Sequence, residues 1–191
     1  MRIGVLALQG AFIEHEKVLR GLGCGTVQVR KKEQLYGIDG LIIPGGESTT
    51  IGKLMDQFEL TDPVREMASD GMPLFGTCAG LIMMAKEIVD SDQSRLGLMN
   101  IVAHRNAFGR QVDSFETDLE VKGLGPEPFR AVFIRAPYIK EVRNGVEALA
   151  AVGDKVVLAR EGNLLAAAFH PELTDDTRIH QYFLKMAAKE R

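Results

Sequence analysis

Cysteine, excess basic charge and long apolar runs are all scarce in this chain, and each scarcity excludes a class of protein. Its two cysteines, Cys24 and Cys78, are too few for a disulfide framework and are consistent with a reducing compartment. A net charge of −3 provides no basic footprint for nucleic acid. The apolar run at the N-terminus is too short for a signal peptide, and no run approaches the length of a membrane span. We therefore expect a cytoplasmic enzyme or binding protein.

The length and composition are those of an ordinary globular domain. With 191 residues, 46% of them apolar and 26% charged, the chain can bury roughly 70% of its unfolded surface in one core. Repeats, low-complexity segments and dividing linkers are lacking in the sequence. We therefore expect a single domain over residues 1–191 that needs neither a disulfide nor a structural metal.

The first half of the chain alternates short apolar runs with segments of helical periodicity. Buried strands are predicted at 3–8, 27–30, 40–44 and 73–77, and helices follow the first, third and fourth of these. This alternation is typical of an α/β protein with a doubly wound, flavodoxin-like sheet and helices on both faces. In such sheets, functional sites form beyond the carboxyl ends of the strands.

The second half changes to short runs rich in β-branched and aromatic residues, which predict further strands and make the sheet mixed. These runs lie at 98–104, 115–121, 131–135, 155–160 and 164–169. The last two flank Glu161-Gly162-Asn163 and predict a hairpin. Ile179, Tyr182, Phe183 and Met186 then recur at the spacing of an amphipathic C-terminal helix.

Cys78 stands at a sharp turn between a buried strand and a helix. Gly76 and Gly80 allow the chain to turn tightly, and a turn of this kind lifts the middle side chain out of the sheet. The N–H groups and dipole of the following helix would favour the thiolate. The alternative is that Cys78 is a small, buried and inert residue in a glycine-rich turn.

A histidine with an acidic partner follows the last predicted strand. In an extended segment His170 and Glu172 would point the same way, so the carboxylate could orient the imidazole while its other nitrogen faces a nucleophile. Taken alone, the pair is weak evidence for catalysis and favours a structural role. Together with Cys78, it supplies the parts of a Cys-His-Glu triad.

Donors for an oxyanion are expected from two other turns. The N–H of Ala79 begins the helix beside the sulfur, and the Gly45-Gly46 turn could bring a second N–H close to it. Gln9-Gly10, at the end of the first strand, is expected at the same sheet edge. The alternative for the segment from Gly45 to Ser48 is a plain strand-to-helix connection with helix-capping residues.

The residues resemble the class I, or triad, glutamine amidotransferases, whose Gly-x-Cys-x-Gly elbow is present at 76–80. More narrowly, the chain is similar to the glutaminase subunits of pyridoxal 5'-phosphate synthase, and the likeness covers nearly its whole length. Five segments in the same order carry the resemblance: Ala-Leu-Gln-Gly-Ala at 7–11, Pro-Gly-Gly-Glu-Ser-Thr at 44–49, Gly-Thr-Cys-Ala-Gly-Leu at 76–81, Ile-Arg-Ala-Pro at 134–137 and Phe-His-Pro-Glu at 169–172.

The resemblance implies a class I glutaminase fold and a role for each matching residue. Cys78 would be the nucleophile, His170 the general base and acid, and Glu172 the group that orients His170. Gly46 and Ala79 would form the oxyanion hole. The glutamine-binding positions would be Gly46, Glu47, Ser48, Arg105, Ile134 and Arg135, and those coupled to the partner would be Gln9 and Gly10.

By the same resemblance, the protein would hydrolyse L-glutamine to L-glutamate and ammonia through a thioester, without a cofactor or a metal. A separate synthase subunit would then combine the ammonia with a pentose phosphate and a triose phosphate to make pyridoxal 5'-phosphate. Arginines suit the carboxylate of glutamine and Glu47 its ammonium group. Without the resemblance, Arg105 and Arg135 would be read as a solvated strand edge.

Two rival functions remain open at this stage. One is a cysteine hydrolase or peptidase of the related elbow type, which would act on peptides or aldehydes without a partner. The other is a non-catalytic ligand-binding module that keeps the fold. Release of glutamate from glutamine, measured with and without a synthase subunit, distinguishes the three.

Overall fold

A computed structural model describes residues 1–105 and 114–189, which form twelve strands and five α-helices. The strands are β1 (Arg2–Leu6), β2 (Gly25–Val29), β3 (Gly40–Ile43), β4 (Leu74–Thr77), β5 (Ala85–Ile88), β6 (Met99–His104), β7 (Ser114–Leu119), β8 (Phe129–Ile134), β9 (Tyr138–Val142), β10 (Glu147–Val152), β11 (Lys155–Glu161) and β12 (Leu164–Ala167). The helices are α1 (Phe12–Gly21), α2 (Ser48–Gln57), α3 (Thr61–Ser69), α4 (Ala79–Met84) and α5 (Arg178–Lys189).

Ten of the strands form one mixed sheet. Its order is β2-β1-β3-β4-β12-β11-β9-β6-β5, with β10 paired to β11 off this path. The five strands from β2 to β12 pair in parallel, whereas β12, β11, β9 and β6 pair antiparallel with one another in that order. β7 and β8 form a separate antiparallel ribbon. The doubly wound mixed sheet predicted from the sequence is thus confirmed.

Helices cover both faces of this sheet, as the alternation along β4 makes clear. Phe75 packs against Phe183 of α5 with ring centroids 5.5 Å apart, and Thr77 contacts His15 of α1. Gly76, which points to the opposite face, lies against α4. None of the helices in the described ranges has both the length and the apolar character needed to cross a membrane.

Glycines allow α4 to lie directly on the sheet. A methyl group on Gly80 would overlap the carbonyl oxygen of Ile43 in β3, and one on Gly76 would come within 2.6 Å of the Met84 sulfur. The backbone of α4 therefore contacts the backbone of β3 without side chains between them. This close approach places the start of α4 at the carboxyl end of β4, where Cys78 lies.

The predicted elements of the first half lie within two or three residues of the observed ones, and the predicted hairpin is formed by β11 and β12. Three strands were not predicted. β5 (Ala85–Ile88) and β9 (Tyr138–Val142) each carry two adjacent charged residues, and β10 (Glu147–Val152) is rich in alanine, so none shows a clear strand pattern. Pairing with neighbouring strands determines their structure.

We expect Gly80→Ala to destabilise the fold by about 3 kcal/mol or more, because the added methyl must push α4 away from β3. Gly21→Ala is the matched control. Gly21 is also helical and has no atom within 4 Å of the added methyl, so we expect about 0.5 kcal/mol of stabilisation. Chemical denaturation measures both changes, and equal effects of the two substitutions would contradict the close-approach argument.

Candidate active site

Cys78 occupies a strained backbone conformation between β4 and α4. Its φ of 48° and ψ of −102° are unusual for a residue other than glycine, and its N–H donates to the carbonyl of Ala167 in β12 at 2.8 Å. This turn lifts the side chain out of the sheet into a pocket, where 8% of the residue is exposed. The predicted elbow is therefore present, although the helix after it has only six residues.

Gly45 fits between Cys78 and His170. A methyl group on Gly45 would lie 2.5 Å from Cε1 of His170 and 3.3 Å from Cβ of Cys78. The absence of a side chain at this position lets the turn after β3 approach both residues at once. Glycine at position 45 is thus required for the three strand ends to converge.

His170 is held between the thiol and a carboxylate. Its Nδ1 lies 2.7 Å from Oε1 of Glu172, and its Nε2 is left to face Cys78. Burial by itself would lower the pKa of His170, but hydrogen bonds from the protonated ring to the Cys78 sulfur and to Glu172 outweigh it and raise the pKa to about 10. At neutral pH a charged imidazolium therefore lies beside the sulfur.

Glu172 reaches His170 by a different route from the one predicted. Instead of an extended segment, the residues Pro171–Leu173 form a 3-10 turn, with proline at its first position. The turn carries the carboxylate inward, where burial leaves it 6% exposed. Its other oxygen, Oε2, lies 3.4 Å from Nε2 of His15, a residue that the sequence analysis did not single out.

The turns after β1 and β3 form part of the rim of the pocket. Oε1 of Gln9 accepts a hydrogen bond from the N–H of Glu47 at 2.7 Å, and the N–H of Ala11 donates to the carbonyl of Gly45 at 3.0 Å. Gly10, with φ 98°, packs so closely on Gly45 that any side chain there would overlap its carbonyl. The turn after β1 is thus bonded to the backbone on both sides of Gly46.

The carboxylate of Glu47, predicted to bind glutamine, is hydrogen-bonded within the protein. It caps α2 by accepting from the backbone and hydroxyl groups of Thr49 and Thr50. The bond from the Thr49 hydroxyl is the main reason that the pKa of Glu47 falls to about 2. The carboxylate is therefore charged and exposed at the rim, but its position is set by the helix.

Arg105 is oriented by a residue that the sequence analysis did not identify. Oε1 of Gln93 accepts from Nη1 of Arg105 at 2.8 Å and from the hydroxyl of Ser48 at 3.3 Å. Gln93 is therefore the common partner of two pocket-lining residues from different elements. It lies in a loop without periodicity, so no pattern in the sequence could have indicated it.

With the exception of Glu172, which is buried behind His170, the predicted site residues line one pocket of about 430 Å³, a volume typical of sites for small molecules. Its walls include Arg135, which adopts φ 42°, and the exposed Ile134, whose carbonyl lies 3.9 Å from the Cys78 sulfur. The lining comprises Gln9, Gly10, Ala11, Gly45, Gly46, Glu47, Ser48, Cys78, Ala79, Ile82, Arg105, Ile134, Arg135, Pro137 and His170. Among the described residues, no group of three or more His, Cys, Asp or Glu could hold a metal ion.

Comparison with known proteins gives consistent matches over nearly the whole chain. Residues 5–189 match the model of the SNO glutamine amidotransferase family. The protein named pyridoxal 5'-phosphate synthase subunit PdxT of Moorella thermoacetica is 65% identical over 186 residues, which are 97% of this chain and 99% of that protein. Its namesake in Carboxydothermus hydrogenoformans is 61% identical over 189 residues, 99% of each chain.

Solved structures agree with these sequence matches. A crystal structure described as a glutamine amidotransferase superposes with a TM-score of 0.94 at 55% identity, over 97% of this chain and 98% of that one. A glutamine amidotransferase of Thermotoga maritima shares the fold, with a TM-score of 0.64 at 14% identity over 100% and 85% of the two chains. The class of protein is therefore that of the glutamine amidotransferases. Within it, the chain belongs to the SNO glutamine amidotransferase family.

The less exposed of the two cysteines, Cys78, should be the more reactive one. Cys24 is the more exposed, but burial raises the pKa of its thiol, whereas Cys78 lies beside a charged imidazolium. At pH 7 we expect iodoacetamide to label Cys78 at least roughly ten times faster than Cys24, and His170→Asn to slow the labelling of Cys78 alone. Peptide mapping over time measures both rates; faster labelling of Cys24 would refute the assignment of an activated thiol.

Proposed function

We propose that this protein hydrolyses L-glutamine to L-glutamate and ammonia through a γ-glutamyl thioester on Cys78. The observation that carries the proposal is the position of an elbow cysteine beside His170, whose Nδ1 lies 2.7 Å from Glu172, in a pocket of small-molecule size. Membership of a glutamine amidotransferase family supports the substrate. One continuous hydrophobic core supports our treatment of 1–191 as a single glutaminase domain.

In the first half-reaction, His170 takes the proton of the Cys78 thiol, the sulfur attacks the γ-carboxamide carbon, and the carbonyl oxygen becomes an oxyanion. The N–H groups of Gly46 and Ala79 receive this charge. That of Ala79 is the first N–H of α4, which has no acceptor within the helix. The His170 imidazolium then gives its proton to the departing nitrogen, and ammonia leaves. Glu172 keeps the ring oriented and stabilises its positive charge.

In the second half-reaction, neutral His170 takes a proton from water, whose oxygen attacks the thioester carbon. Collapse of the second tetrahedral intermediate releases glutamate, and the proton on His170 regenerates the resting state. The thioester divides a difficult amide hydrolysis into two easier steps. No redox step or additional reactant is required.

Binding of the amino-acid end of glutamine would use charges at the rim of the pocket. Arg105 and Arg135 suit the α-carboxylate, with Ser48 and the backbone at Gly46 and Ile134 nearby. The Gln93 side chain limits the rotation of Arg105 and so prepares it for binding. The charge of Glu47 would favour the ammonium group across the pocket, while its carboxylate remains on the helix cap.

We further propose that the ammonia passes to a pyridoxal 5'-phosphate synthase subunit. The relatives from Moorella and Carboxydothermus carry the name of a subunit of that synthase. A partner that docked on the rim would contact Gln9 and Gly10, which are bonded to the backbone beside Gly46. It could therefore favour the peptide orientation that aims the Gly46 N–H at the oxyanion.

Cys78→Ala should reduce glutamate release by four orders of magnitude or more, roughly the loss expected when a nucleophile is removed. Cys24→Ala is the matched control, because it removes the other thiol far from the pocket and should leave the rate unchanged. Glutamate release is measured with the synthase subunit present, together with thermal unfolding. An active Cys78→Ala protein, or equal loss in both folded variants, would exclude the thioester mechanism.

The rim provides a separate test of the coupling to the partner. If the partner reorients a single oxyanion-hole donor, the Gly46 N–H, titration with the synthase subunit should raise the rate of glutamate release by about two to three decades. Gln9→Ala should lower this activation roughly tenfold, because the N–H of Glu47 loses its acceptor.

Gln34→Ala is the matched control for Gln9→Ala. Gln34 also accepts a backbone N–H at 2.7 Å, but in the 3-10 turn Lys32–Leu35, away from the pocket. We expect it to leave the activation unchanged. A rate that stays constant through stoichiometric complex formation would mean that the oxyanion hole is preformed, and equal effects of the two substitutions would mean that Gln9 has no special part in coupling.

A further inference from the structure

A chain of buried polar side chains continues beyond Glu172, away from the pocket. Nε2 of His15 is hydrogen-bonded to the hydroxyl of Thr77 at 3.1 Å, and its Nδ1 lies 3.0 Å from Nε2 of His180. The same Nε2 lies 3.4 Å from Oε2 of Glu172, a buried oxygen that has no hydrogen-bond partner, so this contact is an electrostatic one. His15, Thr77 and His180 are fully buried. Two more histidines are thus linked to the candidate triad, although the mechanism described above does not use them.

Both of these histidines are neutral at physiological pH. Burial is the main reason that the pKa of His15 lies below its ordinary value and that the pKa of His180 falls to about 3. A neutral imidazole carries one N–H, so each ring must be either an Nδ1–H or an Nε2–H tautomer. Only one proton can occupy the contact between His15 Nδ1 and His180 Nε2.

The surroundings favour one of the two arrangements. If His180 is the Nε2–H tautomer, it donates to Nδ1 of His15, and the proton of His15 must then be on Nε2, directed at Thr77 and Glu172. The Nδ1 of His180, which has no hydrogen-bond partner in the structure, is then an unprotonated acceptor. This arrangement leaves no N–H buried without an acceptor.

The opposite arrangement has two unfavourable contacts. His180 would bury an N–H on Nδ1 without an acceptor, and a buried donor without a partner is destabilising. In addition, Nε2 of His15 would turn a lone pair, instead of an N–H, toward the negatively charged carboxylate oxygen 3.4 Å away. Both penalties disappear in the first arrangement.

We propose that His15, fixed in its Nε2–H tautomer by His180, is a positioning residue that holds the second oxygen of Glu172 and keeps this carboxylate ionised toward His170. The inference rests on the proposed function, since it gives His15 a part in the same reaction. His15 does not touch the substrate. It acts through Glu172, which acts through His170 on Cys78.

The charges around Glu172 are consistent with this role. Burial pushes the pKa of Glu172 upward, but His15 and His170 outweigh it, so that the pKa lies below its ordinary value. The coulombic effect of His15 on this pKa belongs to its protonated form. Neutral His15 acts on the carboxylate only through the dipole of its Nε2–H, which lies 3.4 Å from Oε2. The groups that face Glu172 and His15 are His170 from the segment after β12, Cys78 and Thr77 from the elbow and β4, Glu14 from α1 and His180 from α5.

His15→Leu removes the donor, and His15→Gln retains it, since the Gln amide nitrogen can occupy the position of Nε2. With the synthase subunit present, we expect kcat to fall roughly tenfold in His15→Leu, because the polar N–H beside the buried Oε2 of Glu172 is replaced by an apolar group, while KM stays within about twofold. His15→Gln should recover most of this loss.

Phe183→Leu is the control for stability. Phe183 is fully buried in α5 and packs on Phe75 of β4, so its truncation loosens the same face of the sheet without removing a bond to Glu172. We expect it to lower the melting temperature at least as much as His15→Leu does, and to leave kcat and its pH dependence unchanged.

The pH profile distinguishes positioning from simple destabilisation. Loss of the His15 donor makes the ionised form of Glu172 less favourable, so its pKa rises. The reaction needs this carboxylate ionised, and the acid limb of kcat/KM therefore moves to higher pH, by roughly one unit. Because the pKa of Glu172 lies below its ordinary value in the wild type, the defect of His15→Leu should be larger near pH 5 than near pH 8.

An independent test uses nitrogen-15 NMR of the labelled protein, in which the two neutral tautomers of histidine give distinct ring shifts. We expect His15 and His180 both as Nε2–H tautomers. An Nδ1–H tautomer at His15 overturns the proposal, as does a His15→Leu protein with the kcat and acid limb of the wild type. Equal kinetic defects in Phe183→Leu overturn it as well.

These outcomes are separable from failure of the proposed function. If the wild-type complex releases no glutamate, the glutaminase assignment fails, whereas the tautomers still decide whether His15 donates to Glu172. If the wild type is active and Cys78→Ala is not, a normal His15→Leu defeats this inference alone. Should His15→Leu fail to fold, the NMR result decides the inference.

Discussion

Backbone-to-backbone contact at the carboxyl edge of the sheet is the constraint on which the site depends. Gly80 places α4 directly against β3, and Gly45 brings the next turn into contact with both Cys78 and His170. A single methyl group at either glycine would separate elements whose positions set the geometry of the pocket. The strain at Cys78, with φ 48°, is maintained because these contacts hold the turn on both sides.

This constraint also explains how much could be predicted from the sequence. Short apolar runs that end in glycine turns predicted the parallel half of the sheet, and the glycines around Cys78 predicted the elbow. Both signals are local: a strand buried on two faces has an uninterrupted apolar run, and a tight turn needs residues without side chains. The convergence of the turns after β1, β3 and β4 could also be predicted, because the carboxyl ends of parallel strands lie at one edge of the sheet.

The remaining features depend on tertiary contacts that no local pattern specifies. β5 and β10 are strands because neighbours supply hydrogen bonds, and Gln93 acquires its role from a contact with Arg105 across 12 residues. His15 left a faint signal, since it lies on the apolar stripe of α1 between Phe12 and Leu19. A polar residue in such a stripe indicates that it has a polar partner inside the protein, but the sequence pattern does not identify that partner.

The two halves of the proposed site differ in how firmly they are held. The acid–base half is buried, and His170 and Glu172 are linked through further side chains to α1, β4 and α5. The oxyanion half lies at the exposed rim, where Gly46 has no side chain to restrict rotation of its peptide group, although the next residue, Glu47, is held by Gln9 and by its cap on α2. A shift of a few kcal/mol, well within what a docking protein supplies, can therefore reorient the Gly46 peptide but not the buried chain. On the proposed function, control by a partner would act on the oxyanion hole, because the acid–base unit is already fixed by folding.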